Sequence, residues 1–336
     1  MCLTPRMSAR PFDQLLGGNT VVILDGGLGT ELERRGADLT DPLWSARLLA
    51  DDPEAIVAIH LAYYRAGAQV ATTASYQATF EGFGARGIGR HDAAGLMQRS
   101  VQLAIEARRR YRAEAGLAAV VTASATGAGL ALPNLLVAAS VGPYGAMLAD
   151  GSEYRGDYGL SVAQLRDFHR PRFAVLASSG ADLLALETIP SVDEGRALVE
   201  LVEEQPDVQA WLSFTCADAA HTRRGDPIEE AFDLAERCPG IRAVGINCTE
   251  PVHVEELIGR AAGLTTKPII VYPNGGERWN AAGRTWSGPA DDLFSTGVAA
   301  GVSAWLAAGA RIVGGCCRVG PETIAEIARI ARMPVG

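Results

Sequence analysis

Short apolar runs recur along the chain, with longer amphipathic segments between them. Eight stand out: VVILD (21–25), QVATTAS (69–75), LLVAASVG (135–142), ADLLALET (181–188), AWLSFT (210–215), AVGIN (243–247), PIIVYP (268–273) and RIVGG (311–315). Most are continuous rather than alternating in hydrophobicity, as expected of strands buried on both faces in a parallel sheet. The stretches between them have helical spacing. PEAIVAIHLAYYRAG (53–67), SVAQLRDFHRPRFAVLASSG (161–180) and PADDLFSTGVAAGVSAWLAAG (289–309) open on Pro or Ser and close on Gly, the usual punctuation of a helix. Eight strand and helix units within about 300 residues predict an α/β protein, a (β/α)8 TIM barrel rather than an open doubly wound sheet. A single domain spanning residues 1–336 is the default at this length.

One stretch complicates the pattern. Residues 115–149 carry no charge, and this is longer than the roughly 20 residues that cross a bilayer. Its Gly, Ser, Thr and Pro content and the Pro133-Asn134 turn predict a strand, a loop and another strand instead of a membrane span.

Composition narrows the partners. With 48% hydrophobic residues the chain can bury a large core, while its six cysteines are too few for a disulfide scaffold. The N-terminus lacks a basic start, an apolar core and a cleavage site in sequence, so a reducing, cytoplasmic location is predicted. A net charge of −9 disfavours nucleic acid, which is bound through clustered Lys and Arg. Small molecules are the predicted partners.

In a (β/α)8 barrel the loops after the strands converge at one end, and polar residues follow the apolar runs here. Asp25 ends the first, Tyr76 follows the second, Glu187 ends the fourth, Asn247 and Cys248 end the sixth, Asn274 follows the seventh, and Cys316 and Cys317 end the eighth. Strands six and eight would flank strand seven, so three thiolates can reach one zinc ion and leave its fourth position open for a substrate thiol, as in a catalytic site. The Gly314-Gly315 pair would allow the turn that aims both adjacent sulfurs the same way. A vicinal Cys316–Cys317 disulfide is the rival reading. Cys216 is a minor alternative ligand; Cys2 and Cys238 lack the context.

LDGGLGTELERRG (24–36) has neither GxGxxG spacing nor the Lys-Ser/Thr ending of a P-loop. Gly26, Gly27 and Leu28 can instead aim backbone N–H groups at a carboxylate; a tight turn with Asp25 as helix cap is the plain alternative. Glu187, buried at a strand end with no basic residue in its strand, calls for a cation. Asp25 and Glu187 together suit the ammonium of an amino acid, although a distant Arg could serve Glu187. Trp44 and Tyr76 offer ring faces to a sulfonium, or simply pack in the core.

The segments DGGLGTELERRG, LWSARLL, YYRAGAQVATTASYQAT, SVGPYGAMLADGSEYRGDY, LETIP, GINC, VYPNGGE and GGCCRVGP together resemble the homocysteine S-methyltransferase family nearly end to end. The likeness is greatest to the short bacterial and plant enzymes that use S-methylmethionine, sometimes S-adenosylmethionine, to make methionine. The resemblance implies a (β/α)8 barrel, zinc ligands Cys248, Cys316 and Cys317, and homocysteine amino-group binding by Asp25 and Glu187. Relatives that use betaine share the barrel and the three cysteines. Two departures are visible: residues 122–134 look like an insertion, and Arg318-Val319-Gly320 stands where relatives often carry two threonines.

The implied chemistry is attack of a zinc-activated homocysteine thiolate on the donor methyl. The departing thioether is neutral, so no general acid or base is required, and none of His60, His91, His169, His221 and His253 is assigned a catalytic role. The alternatives are a betaine- or selenocysteine-using methyltransferase and a non-catalytic zinc-dependent homocysteine-binding protein.

Overall fold

All eight apolar runs become strands of one parallel sheet in the computed structural model, which describes residues 10–18, 20–37, 44–126, 134–276, 278–280, 285–287 and 293–333. The strands are β1 (Val22–Ile23), β2 (Val70–Thr72), β3 (Leu136–Val141), β4 (Leu183–Ile189), β5 (Ala210–Phe214), β6 (Ile241–Asn247), β7 (Ile269–Tyr272) and β8 (Ala310–Val313). Their spatial order is β1-β8-β7-β6-β5-β4-β3-β2. The two ends of that series meet through a Leu24–Val70 bridge, with Gln69 N donating to Ile23 O at 2.7 Å and Asp25 N to Val70 O at 3.1 Å. The sheet is thus a barrel wound with helices. An antiparallel hairpin, Arg278–Asn280 with Thr285–Ser287, follows β7 and has no counterpart among the predicted elements.

Strand parity sorts the side chains. Ile23, Leu184, Leu186, Val244, Val271 and Val313 point outward beneath the helices. Val22, Leu136, Leu183, Ala185, Trp211, Ala243, Ile270 and Ile312 belong to the inner cluster. Because both faces are covered, the strands lack the apolar and polar alternation of a half-exposed sheet. The N-terminal helix Pro11–Leu16 seals the base of the barrel by seating Phe12 and Leu15 in the inner cluster. Asp13 anchors it through Arg242 at 2.7 Å and the Gln209 amide at 2.8 Å.

Part of the charge-free stretch folds otherwise than predicted. Residues 115–126 are helical, forming the end of Arg90–Thr126, and β3 is the one strand within 115–149. Alanine is the strongest helix former, and the run LAAVVTASAT simply continues the helix before it. Residues 127–133, the remainder of the apparent insertion before Asn134, lie outside the described residues. No described helix is long and apolar enough to cross a membrane.

Phe12 is fully buried against Trp211, with ring centroids 6.2 Å apart. Phe12→Ala is expected to destabilise the protein by about 3–5 kcal/mol, the usual cost of emptying an aromatic core site. A urea-denaturation midpoint equal to that of the parent would contradict this role for the N-terminal helix.

Candidate active site

The sulfurs of Cys248, Cys316 and Cys317 lie within 4.8 Å of one another at the C-terminal ends of β6 and β8. Backbone bonds across β7 bring them there: Cys248 N donates to Tyr272 O, Cys316 N to Pro273 O, and Gly275 N to Cys317 O. A disulfide joins Cys248 to Cys316, across strands rather than between the adjacent pair, and Cys317 is free. In the reduced state the three supply a soft sulfur donor set. No fourth His, Cys, Asp or Glu joins the cluster among the described residues. Burial pushes the Cys317 thiol up to about 12, and the neighbouring Glu153 charge adds to the rise. A cation at the cluster would reverse that balance, because coordination deprotonates a thiol. Cys216 is buried beside Thr249 and outside the cluster.

The turn that aims the cysteine pair is not made by Gly314-Gly315. Arg318 is the left-handed residue, with φ 67°, and its N–H donates to Thr30 Oγ1 at 2.8 Å. The two glycines permit close packing instead: a Cβ on Gly315 would lie 2.1 Å from Val319 Cγ1. Val319 shapes the glycine-rich loop in turn. Its carbonyl accepts the Gly27 N–H at 3.0 Å and lies 3.0 Å from the Tyr63 hydroxyl. Gly27 N–H is therefore engaged within the protein and does not serve an anion, contrary to the sequence expectation. No described residue takes the N–H of Gly26 or Leu28. Gly26 has to be glycine, because a Cβ there would meet Val319 O at 2.3 Å.

Asp25 does not cap the helix Leu28–Arg34, whose N-cap is Gly27. Its carboxylate accepts from Thr72 N at 2.7 Å and Thr72 Oγ1 at 2.9 Å. Burial pushes it up to about 8 against those two bonds, and the Glu187 charge adds to the rise. Glu187 is likewise raised, to about 7, by burial; bonds from Ser140 and Tyr272 hydroxyls oppose the shift. Ser140 and Tyr272, not an arginine, are its partners among the described residues. Asp25 and Glu187 are thus neighbouring buried carboxyls that have no cationic partner among the described residues.

Asn247 is fully buried and acts as a strut. Its Oδ1 accepts from Thr188 N at 2.7 Å and Ser213 Oγ at 2.8 Å, its Nδ2 donates to Thr188 Oγ1 at 2.7 Å, and Cys316 Sγ lies 3.9 Å from Nδ2. Tyr76 bonds to Thr188 and sits near Glu187 and Tyr154. Trp44 opens the helix Trp44–Asp51, and its side chain lies outside the described residues. Sequence reasoning passed over Thr72, Ser140 and Tyr272, which look like ordinary strand residues, and Tyr154, which lies beside Cys317. The last had a signal, since Tyr154 falls within the quoted segment SVGPYGAMLADGSEYRGDY without an assigned role.

A family model described as homocysteine S-methyltransferase matches residues 22–331. Homocysteine S-methyltransferase YbgG of Bacillus subtilis is 44% identical over 322 residues, covering 96% of this chain and 98% of that one. A selenocysteine Se-methyltransferase of Brassica oleracea var. italica is 45% identical over 313 residues, covering 91% of this chain and 87% of that protein. Among solved structures, the metallated form of the homocysteine methyltransferase MmuM from Escherichia coli superposes with a TM-score of 0.81 at 43% identity, covering 95% of this chain and 99% of that one. Its oxidised form matches with the same TM-score of 0.81.

Cys216→Ser is expected to leave the metal content per chain unchanged, as measured by plasma emission spectrometry on purified protein. A loss of metal would place a fourth sulfur at the site.

Proposed function

The chain belongs to the homocysteine S-methyltransferase family, and from that premise we propose that it moves a methyl group from a sulfonium donor, S-methylmethionine or S-adenosylmethionine, to the thiol of L-homocysteine. Zinc is the proposed metal, held by Cys248, Cys316 and Cys317 in a single barrel domain working in the cytoplasm. The observation that carries this reading is the convergence of three sulfurs from two strand ends without a fourth protein donor among the described residues. Zinc bound by thiolates would leave a coordinated substrate thiol deprotonated and nucleophilic at neutral pH.

The chain's own residues orient the reactants. Asp25 and Glu187 hold the homocysteine ammonium, and Gly26 and Leu28 turn their N–H groups to its carboxylate. Held at both ends, the amino acid points its sulfur toward the cysteine cluster, which supplies the orientation an in-line displacement needs. Tyr76 lines the donor side, where a ring face attracts a sulfonium by about 0.5–2 kcal/mol. No proton has to reach the thioether that departs. His60 and His169 are buried in helices, His169 is bonded to Glu194, and exposed His221 pairs with Asp218. Selenocysteine as acceptor is a second reading, favoured by the Se-methyltransferase relative, because a selenol fits the same sulfur-lined position.

The first test is methionine formation from homocysteine with S-methylmethionine, S-adenosylmethionine and betaine offered separately to zinc-loaded protein. Turnover with a sulfonium is expected, falling by at least about 100-fold in Cys317→Ala together with metal content. Turnover with betaine alone would overturn the donor assignment.

The raised carboxyls give a pH dependence. Below about pH 7 Glu187 and Asp25 are protonated in the ligand-free protein, while in the unfolded chain they ionise near pH 4. Their contribution to stability is therefore full below about pH 4 and lost as pH rises through about 7 and 8. An ammonium favours the ionised pair, so homocysteine binding should release protons and tighten between pH 6 and pH 8. Calorimetry in buffers of different ionisation enthalpy measures the release. Equal affinity at both pH values, or no change in proton release in Asp25→Asn, would contradict this.

A further inference from the structure

A second buried charged cluster lies behind the mouth of the barrel, away from the cysteines. Its members are His169 and Arg172 on the helix Val162–Ala177 and Glu194 in the first turn of Val192–Glu203, each no more than 1% exposed. His169 Nε2 is 2.8 Å from Glu194 Oε1, and Arg172 Nη2 is 3.0 Å from His169 Nδ1. Arg172 can only donate, so Nδ1 accepts and the proton resides on Nε2, which donates to Glu194. Burial, followed by the Arg172 charge, pushes His169 down to about 4 and keeps the ring neutral.

The outer ends of this chain of bonds meet a single corner of backbone. Arg172 Nη2 donates to Gly142 O, and Glu194 Oε1 accepts the Tyr144 N–H at 2.6 Å. Two helices thereby grip the residues where β3 gives way to its loop. Apolar side chains would pack two helices together without the desolvation that buried ions incur, so fixing the corner is the distinctive product of this cluster.

The corner governs two aromatic side chains. A Cβ on Gly142 would lie 2.6 Å from Tyr76 ring carbons, so the ring rests directly on that backbone. Beyond the corner, Gly145 packs against the backbone of Ser152 and Glu153, where an added Cβ would come within 2.4 Å of Glu153 N. That contact sets the short helix Ser152–Tyr154, and Tyr154 reaches Cys317. The Tyr144 ring braces the same corner from outside, with Phe168 at 4.8 Å and Tyr158 at 5.1 Å.

We propose that Glu194, His169 and Arg172 are positioning residues that fix the Gly142–Tyr144 corner and through it set Tyr76 and Tyr154 along the methyl-donor side of the site. Their effect falls on donor binding first, and on homocysteine and metal binding far less. The proposal rests on the donor-side reading given above.

The test varies S-methylmethionine at saturating homocysteine and then the reverse, in zinc-loaded wild type, Glu194→Asp and Glu194→Gln. Aspartate keeps the charge opposite Arg172 but is too short to hold both His169 and Tyr144 N; glutamine keeps the length and loses the charge. The donor KM should rise by at least about tenfold in Glu194→Asp and by less in Glu194→Gln, because a displacement of about 1 Å is enough for such losses. The homocysteine KM should stay within about twofold and the zinc content should not change. An equal rise in both KM values, loss of zinc, or a lower melting temperature with parental kinetics would overturn the proposal. Should the Glu194 variants not fold, His169→Gln removes one link while leaving Glu194 and Arg172 in place, and an unchanged donor KM there overturns it as well. A wild type that uses betaine and neither sulfonium refutes the donor reading alone, and the same comparison is then made with betaine.

Discussion

Closing a parallel sheet on itself forces the inward side chains of every strand into shared layers, and the site depends on how those layers change with height. Low in the barrel the inward positions are apolar: Leu136, Leu183, Trp211, Ala243 and Ile270, sealed from below by Phe12. Counting two residues at a time along the same strands leads to Ser140, Glu187, Ser213, Asn247 and Tyr272. These five are joined by hydrogen bonds. Ser140 donates to Glu187, Ser213 to Asn247 at 2.8 Å, the Ser213 and Tyr272 hydroxyls lie 2.6 Å apart, and the Trp211 indole donates to the Tyr272 hydroxyl at 2.9 Å. A polar layer is tolerable at this depth because its members satisfy one another. It forms a rigid floor on which the carboxyl of Glu187 stays buried.

Above that floor the backbone is strained where the chemistry is. Thr188, Cys248 and Arg318 all have positive φ, at 60°, 47° and 67°. For residues other than glycine this costs on the order of 1–3 kcal/mol each, and more readily so for a β-branched threonine. Each is held by a specific bond: Thr188 by Asn247 on both its N–H and its hydroxyl, Cys248 by Tyr272 O, and Arg318 by Thr30. Glycine would relieve the strain and lose the side chain. Thr188 needs its hydroxyl for Asn247, and Cys248 needs its sulfur. The strain lets a strand end change direction within one residue, so that Glu187 and Cys248 face the same mouth.

The strands were legible in the sequence because a strand buried on both faces leaves an uninterrupted apolar run, and the cysteine cluster because its members sit just past two such runs. The charge-free segment 115–126 misled, since a helix rich in alanine shows neither the charge punctuation nor the periodicity that separates it from strand and loop. Gly27 and Gly314-Gly315 were misread for a different reason. Glycines that permit close backbone approach look the same in sequence as glycines that turn or bind, and only the Val319 contacts distinguish them. The polar layer was hidden because serine, tyrosine and threonine inside apolar runs carry no mark of which way they face. Tyr154 was hidden because its contact with Cys317 joins residues 163 positions apart.

Around the barrel mouth the roles divide by position in the strand order. The sulfurs come from β6 and β8, and Asp25 follows β1, the neighbour of β8. Tyr76 follows β2 and Tyr154 follows β3, on the far arc. Glu187 at the end of β4 faces inward between the two arcs. On the proposed function, an acceptor amino acid held by Asp25 and Glu187 would lie across the mouth, its sulfur toward the cysteines and its open flank toward Tyr76. A methyl donor would then approach over that flank. The backbone bonds that fix the cluster run through β7 and the Thr30 and Val319 contacts, and from the β3 loop it is Tyr154 that comes near Cys317. That proposal would put acceptor recognition at the strand ends and donor choice in the loops beyond them.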